Sequence, residues 1–410
     1  MKILTTLSIF LLFTTSTFNA QVETCNCKID LDFIVSKIKK MPSFKKQIKE
    51  EKLDDFNNTY NVISKEMTNP ISIEKCYQLL LKQMTLVNDS HSSLTINDAF
   101  LPKEILNDDK KLADFKLTAT YKNHPKTTKN ITDLKTNLAT QPLNSLEGIF
   151  NYGKQKIGIY FDTNKKDLIG VVLENDLKNW EVGDISFYAT KINDAKYNMY
   201  QYRLSNKTPR LIKSLSFNNG RILSYKKEGN EFNFELPKTD QKEFEFKQLN
   251  ENTQYLYFAN FSNSKKKALL AFFNNTKDKL TAENIIIDLR SNSGGNKKYS
   301  DNFLKYLKNK NVYVITNFLT GSNGEQFTLK LKKLKKTKHL GQTTFGVIAY
   351  GINYGRSYTT PTNKFTIMPT DMNFHKYYKY ESKGVTPDIK LDYTKDWIDQ
   401  TLDMIKINEY

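Results

Sequence analysis

With 410 residues the chain is long enough for two or three compact units, and with 39% hydrophobic and 12% aromatic residues it can bury substantial cores, which excludes a disordered chain. A net charge of +18 invites a nucleic-acid or membrane-surface function, but the lysines are spread along the whole chain, arginine is rare and no nucleic-acid module is recognisable. A lysine-rich solvated surface accounts for the charge, and no nucleic-acid partner is expected.

Residues 1–20 read as an export signal: Lys2 gives the positive end, Ile3 to Phe18 an apolar, hydroxyl-rich run too short for a convincing membrane span, and Ala20 a small residue before Gln21. The remainder is expected to lack a transmembrane segment and to reside in the periplasm, the cell envelope or the medium. The cysteines Cys25, Cys27 and Cys76 allow one bridge between the first pair and Cys76, and the spacing does not choose the partner. Together with four scattered histidines (His91, His124, His339 and His375) they offer no zinc-ligand spacing, so neither metal nor organic cofactor is expected.

Residues 21–140 are predicted to form a helical domain followed by a connector. Ile29, Leu31, Ile34 and Ile38, then Cys76, Leu79, Leu80, Met84 and Val87, recur on helical turns, whereas Asn107 to Thr140 is polar and reads as a loose connector. Residues 141–250 are predicted to be a β-rich insert, with short strands at 148–153, 157–161, 168–173, 185–188 and 232–236. Residues 251–410 alternate strands (255–259, 284–289, 312–317, 365–368) with helices (266–275, 300–308, 323–336), the pattern of an α/β core. In the third helix the run Lys330 to Lys338 reads as the wet face of an amphipathic helix.

Three features of this core carry chemistry. Gly294 and Gly295, after the β-branched run Ile285 to Ile287, let the backbone turn tightly and let a ligand approach, as an oxyanion hole requires, although a plain turn needs the same glycines. Ser322 opens a helix after a strand, where the Asn323 amide and the helix N-terminus would stabilise negative charge. A simple capping box, Ser322 with Glu325, uses the same residues.

The series Asp288-Leu-Arg-Ser-Asn-Ser-Gly-Gly295, Gly321-Ser-Asn-Gly-Glu-Gln-Phe327, Leu340-Gly-Gln-Thr-Thr-Phe-Gly346 and Glu381-Ser-Lys-Gly-Val-Thr-Pro-Asp388 resembles the tail-specific (C-terminal-processing) serine peptidase family. One branch of that family takes a lysine base shortly after the Thr-Phe-Gly segment, where this chain has Val347. The other, similar to the tricorn core protease, takes its histidine from an N-terminal helical region and a glutamate from before the Gly-Val-x-Pro-Asp stretch. Here His91, within Asn88-Asp-Ser-His-Ser-Ser93, and Glu381 stand in those places.

The resemblance implies a crotonase/ClpP-like α/β peptidase core with an N-terminal helical domain and a β-rich middle domain. It implies Ser322 as nucleophile, His91 as base, Glu381 and Ser90 as orienting groups, and an oxyanion hole at Gly294, Gly295 and Asn323, acting on a peptide or protein substrate. A catalytically inactive ligand- or peptide-binding protein on the same fold is the competing expectation. The oligomeric state is left open.

Overall fold

The computed structural model describes residues 23–408, so the export-signal reading of residues 1–20 lies outside the described residues. The N-terminal part packs the helices Cys27–Ile38, Pro42–Gln47, Glu51–Lys65 and Ile73–Met84 around one apolar cluster. Its members Leu31, Ile34, Ile38, Cys76, Leu80 and Met84 are helical-period residues of the sequence, buried because i, i+3 and i+4 positions share a face, whereas Ile29, expected among them, is exposed. Ser72 caps the last of these helices by accepting from the Lys75 amide at 3.2 Å. A disulfide joins Cys27 to Cys76 and leaves Cys25 free and buried.

The segment 107–140 is not the loose connector its composition suggests. It folds into the short helices Asp109–Lys116, Ala119–Lys122 and Ile131–Ala139, whose first amides are held by Asp108, Thr118 and Asn130. The polar residues that gave the segment its loop-like composition are thus partly its helix caps. Leu134 and Leu138 anchor it on the middle sheet.

That sheet has eight antiparallel strands in the order Arg221–Ile222, Tyr225–Lys227, Gly148–Tyr152, Gln155–Phe161, Leu168–Asn175, Ile185–Asn193, Lys196–Tyr202 and Pro209–Leu215. The expected strand at 232–236 does not form. Its polar groups are drawn elsewhere: Glu235 pairs with Arg221 at 2.8 Å, and the Phe234 carbonyl accepts from Arg290 at 2.5 Å.

The C-terminal core is a six-stranded sheet in the order Phe244–Asn250, Thr253–Phe258, Asn284–Asp288, Asn311–Thr316, Thr337–Gly341 and Ile389–Lys390. The first pair is antiparallel and the rest are parallel. Both faces are covered. Leu256, Phe258, Ile285 and Ile287 pack into one cluster with Phe327 and Leu331, while Tyr255, Tyr257, Ile286 and Ile315 pack into another with Trp397 and Ile405 of the closing helix Trp397–Asn408. A strand buried on both sides reads as an unbroken apolar run, hence Ile285-Ile-Ile287.

The helix expected over 323–336 stops at Leu331, and Thr337–Gly341 is a core strand. Lys330 and Lys332 are spent on ion pairs with Asp301 and Asp388, so the run Lys330 to Lys338 is only in part a solvated helix face. The expected helix 300–308 is split into Lys297–Asp301 and Leu304–Leu307.

Phe365–Met368 forms a strand, but not in the core sheet. It pairs antiparallel with Tyr358–Thr359 and with Ser93–Ile96 from the N-terminal part, with Ile367 opposite Leu94 and Met368 opposite Ser93. Phe365 and Ile367 are buried in the N-terminal cluster. An excursion of the core thereby holds the segment just after His91.

Candidate active site

The turn that carries Ser322 follows the core strand Asn311–Thr316. Thr320 Oγ1 donates to the Leu289 carbonyl at 2.7 Å and the Gly321 amide to the Asn292 carbonyl at 2.8 Å, tying this turn to the one that ends the neighbouring strand. Ser322 then takes φ 54°, ψ −121°, a left-handed conformation rare for a residue with a side chain. Its amide donates to the Val347 carbonyl at 2.9 Å and to Glu325 Oε2 at 3.0 Å. The glutamate half of the capping box is present, and the serine hydroxyl meets a histidine.

That histidine is His91, whose Nε2 lies 3.1 Å from Ser322 Oγ. The turn that presents it is held by Asp89: Oδ1 accepts from the amides of His91 and Ser92, each at 3.2 Å, and Oδ2 from Thr370 Oγ1 at 2.5 Å. Burial lowers the His91 pKa; Asp89 opposes the shift and Lys213 adds to it. The ring is therefore biased to the neutral form, which can accept a proton.

Glu381 is buried, but it does not reach the imidazole. Oε1 accepts from the Ser90 amide at 3.2 Å, and Oε2 from the amides of Ile348 and Ala349 at 2.9 and 2.8 Å. Ser90 presents its backbone to Glu381, while its hydroxyl meets Ser214 Oγ at 3.1 Å. The side-chain relay expected from Glu381 through Ser90 to His91 is therefore not formed, because three amides occupy the carboxylate. His91 Nδ1 is buried without a hydrogen-bond partner among the described residues. Glu381 instead ties the His91 turn to the 348–349 backbone, next to the carbonyl that holds the Ser322 amide. Burial raises its pKa against the opposing pull of those amides.

Gly294 serves by what it lacks. Its φ is +85°, and a Cβ there would lie 2.4 Å from Ser322 Cβ and 2.8 Å from the Asn323 nitrogen. Its own amide is committed to Asn292 Oδ1 at 2.9 Å, which corrects its expected place among the oxyanion donors. Gly295, at φ +130°, passes so close to Phe261 that a Cβ would sit 2.1 Å from its carbonyl oxygen. Asn323 begins the helix Asn323–Leu331, where an amide has no intrahelical acceptor. Its side chain is turned to Ser300 Oγ at 2.9 Å.

Glu325 does more than cap a helix. Fully buried, it also accepts from the amides of Gly346 (2.7 Å) and Val347 (3.0 Å) and from the Thr344 hydroxyl, knitting the Ser322 turn to the next loop. Burial pushes its pKa up to about 7. Asn292, whose Nδ2 donates to the Phe258 carbonyl at 2.7 Å, sets the Gly294 turn. This asparagine is a fixed position of the Asp-Leu-Arg-x-Asn-x-Gly-Gly motif, although the motif alone gave it no role.

Residues 296–391, which contain Ser322 and Glu381 but not His91, match the family model of peptidase family S41. This segment is similar to peptidase family S41. The resemblance read from the sequence motifs and the family match agree, and over this segment they support a serine-type peptidase.

Among solved structures, mature CPAF complexed with lactacystin is similar at 13% identity, with 93% of this chain and 97% of that chain covered and a TM-score of 0.43. The tricorn protease is similar at 13% identity over 92% of this chain and 36% of that chain, TM-score 0.43. The photosystem II D1 C-terminal processing protease is similar at 13% identity over 90% and 94%, TM-score 0.36. No curated protein matches the sequence significantly. All three TM-scores lie below 0.5, and the reading of the site rests on the chain's own geometry.

Proposed function

We propose that the chain is an exported peptidase that hydrolyses peptide bonds through an acyl-enzyme on Ser322, with His91 as general base. The observation that carries this reading is the 3.1 Å approach of His91 Nε2 to a serine hydroxyl held at the start of a helix in a left-handed conformation. Both side chains are only part-buried, so a peptide can reach them. Among the described residues no helix is long and apolar enough to cross a membrane.

In the reaction His91 Nε2 takes the Ser322 proton as the oxygen bonds to the scissile carbonyl carbon, and the carbonyl oxygen becomes an anion. The Asn323 amide, at the positive end of its helix, and the Gly295 amide are the donors proposed for that anion. Collapse breaks the C–N bond, with His91 giving its proton to the departing amine. Water, deprotonated by His91, then attacks the ester and frees Ser322. Glu381 acts as a positioning residue through the Ser90 amide, and the nearby Asp89 charge favours the imidazolium formed in each step.

A fluorophosphonate probe tests the reading, since it reacts with an activated serine whatever the natural substrate. Wild type is expected to be labelled at Ser322, Ser322→Ala not at all, and His91→Ala about 10²–10⁴-fold more slowly. A folded wild type that stays unlabelled would assign the core to ligand binding instead.

A further inference from the structure

Two lysines of the middle sheet end inside the protein, against the two segments that must meet for catalysis. Lys196, buried at the start of Lys196–Tyr202, donates from Nζ to the Phe345 carbonyl at 2.9 Å and the Thr344 carbonyl at 3.3 Å. This is the loop whose Phe345 amide donates to the Thr320 carbonyl at 2.8 Å and whose Thr344 hydroxyl binds Glu325, so it abuts the Ser322 turn. Lys213, on Pro209–Leu215, donates to the Asp89 carbonyl at 2.8 Å, the Ser92 carbonyl at 3.0 Å and Ser92 Oγ at 3.1 Å. These acceptors bracket His91. The two lysines lie on directly paired strands, with Tyr197 opposite Leu215 and Met199 opposite Ile212.

Neither ammonium makes an ion pair with a carboxylate among the described residues; each is satisfied by neutral oxygens. An inward-turned cation without a counter-ion is costly, and an apolar side chain at either position would avoid that cost. What a lysine adds is several donors on a long stem, able to gather carbonyls from another segment.

We infer that the middle sheet is a positioning device, in which Lys213 holds the base turn and Lys196 holds the loop beside the nucleophile. The spacing of His91 and Ser322 is thus referred to one inter-strand register. This assigns the β-rich insert a role in catalysis without any contact to substrate, and it rests on the hydrolase reading above.

The groups facing these residues fix the expected pH behaviour. Lys213 faces Asp89, Glu381 and His91; Lys196 faces Glu325. Burial lowers each lysine to about 8 against the pull of those carboxylates. The Lys213 ammonium in turn lowers the His91 pKa, so removing it raises that pKa.

The experiment follows the His91 ring by NMR titration and the fluorophosphonate labelling rate of Ser322 against pH, in the full chain. In Lys213→Met the His91 midpoint is expected to move to higher pH, carrying the acidic limb of the labelling profile with it, a shift that lost packing alone does not produce. Lys196→Met is expected to leave the midpoint in place and slow labelling about tenfold or more, since small displacements of reacting groups cost rate steeply. Lys213→Arg, which keeps the charge, is expected to keep the wild-type midpoint.

An unchanged midpoint in folded Lys213→Met removes Lys213 from the device, and a wild-type labelling rate in folded Lys196→Met removes Lys196. Should the methionine variants not fold, wild type decides. Labelling that declines as pH rises past about 8 supports the inference, and a rate flat to about pH 10 overturns it. If wild type is not labelled at any pH the hydrolase reading fails, and the His91 midpoint alone decides whether Lys213 sets the base.

Discussion

Ser322 holds a backbone conformation that costs a residue with a Cβ about 1–3 kcal/mol, and the surroundings over-determine it. Its amide is held by Val347 and Glu325, and the turn carrying Gly294 presses against its Cβ. Gly294→Ala is therefore expected to act at the nucleophile. The new methyl would meet Ser322 and the Asn323 amide at impossible distances and at a φ of +85°. Fluorophosphonate labelling should fall to near the Ser322→Ala level, with a stability loss of about 1–3 kcal/mol in denaturant unfolding. Labelling at the wild-type rate would show that the turn can move aside.

Some of these residues could be read from the chain and others could not. The Ser322 turn was legible because a β-branched strand, a glycine pair and a helix-opening serine leave a local signature. His91 was legible only through the likeness to a family, since spacing does not say that residue 91 meets residue 322. Which face Ser90 turns to Glu381 is a matter of three-dimensional placement, and the expected relay failed there. Lys196 and Lys213 carried no signal, because a lysine in a strand reads as solvent-facing unless the partner carbonyls are known.

At the scale of elements, the pairing of Ser93–Ile96 with Phe365–Met368 decides where His91 stands. The same excursion grips the first helix, where the Thr362 amide donates to Asp30 Oδ1 at 3.1 Å. Its apolar residues are core members, so its strand pattern was visible, but the sheet it joins was not. An alternating run states that one face is buried and leaves the partner open.

Ile367 is fully buried opposite Leu94. Ile367→Ala should cost about 2–5 kcal/mol of stability and, by loosening the strand that follows His91, also slow labelling of the still-folded protein. Stability loss with an unchanged labelling rate would place the base turn under the control of Asp89 and Lys213 alone.

For the whole molecule, acid is the expected weakness. Burial brings His124 and His339 down to about 3, so both stay neutral in the folded state well below the unfolded value of 6.5. The unfolded chain then binds more protons, and stability is lost as pH falls from about 6.5 toward 3. Glu325 works in the opposite direction: raised to about 7, it takes its proton earlier in the folded state and adds stability as pH falls from about 7 to 4.5. The contributions oppose one another down to about 4.5, below which Glu325 no longer offsets the loss at the histidines. Denaturant midpoints measured from pH 7 to 3 should therefore fall gently and then steeply, and in Glu325→Gln the gentle stretch should steepen.

The order of these parts along the chain has a consequence in time. The proposed base is residue 91, the strand that fixes its turn is 365–368, and the carboxylate that ties that turn to the 348–349 backbone is residue 381. A nascent chain that has displayed Ser322 still lacks the late segments that bring the histidine to it. On the proposed mechanism, the serine therefore stays silent during synthesis until residue 381 has been added.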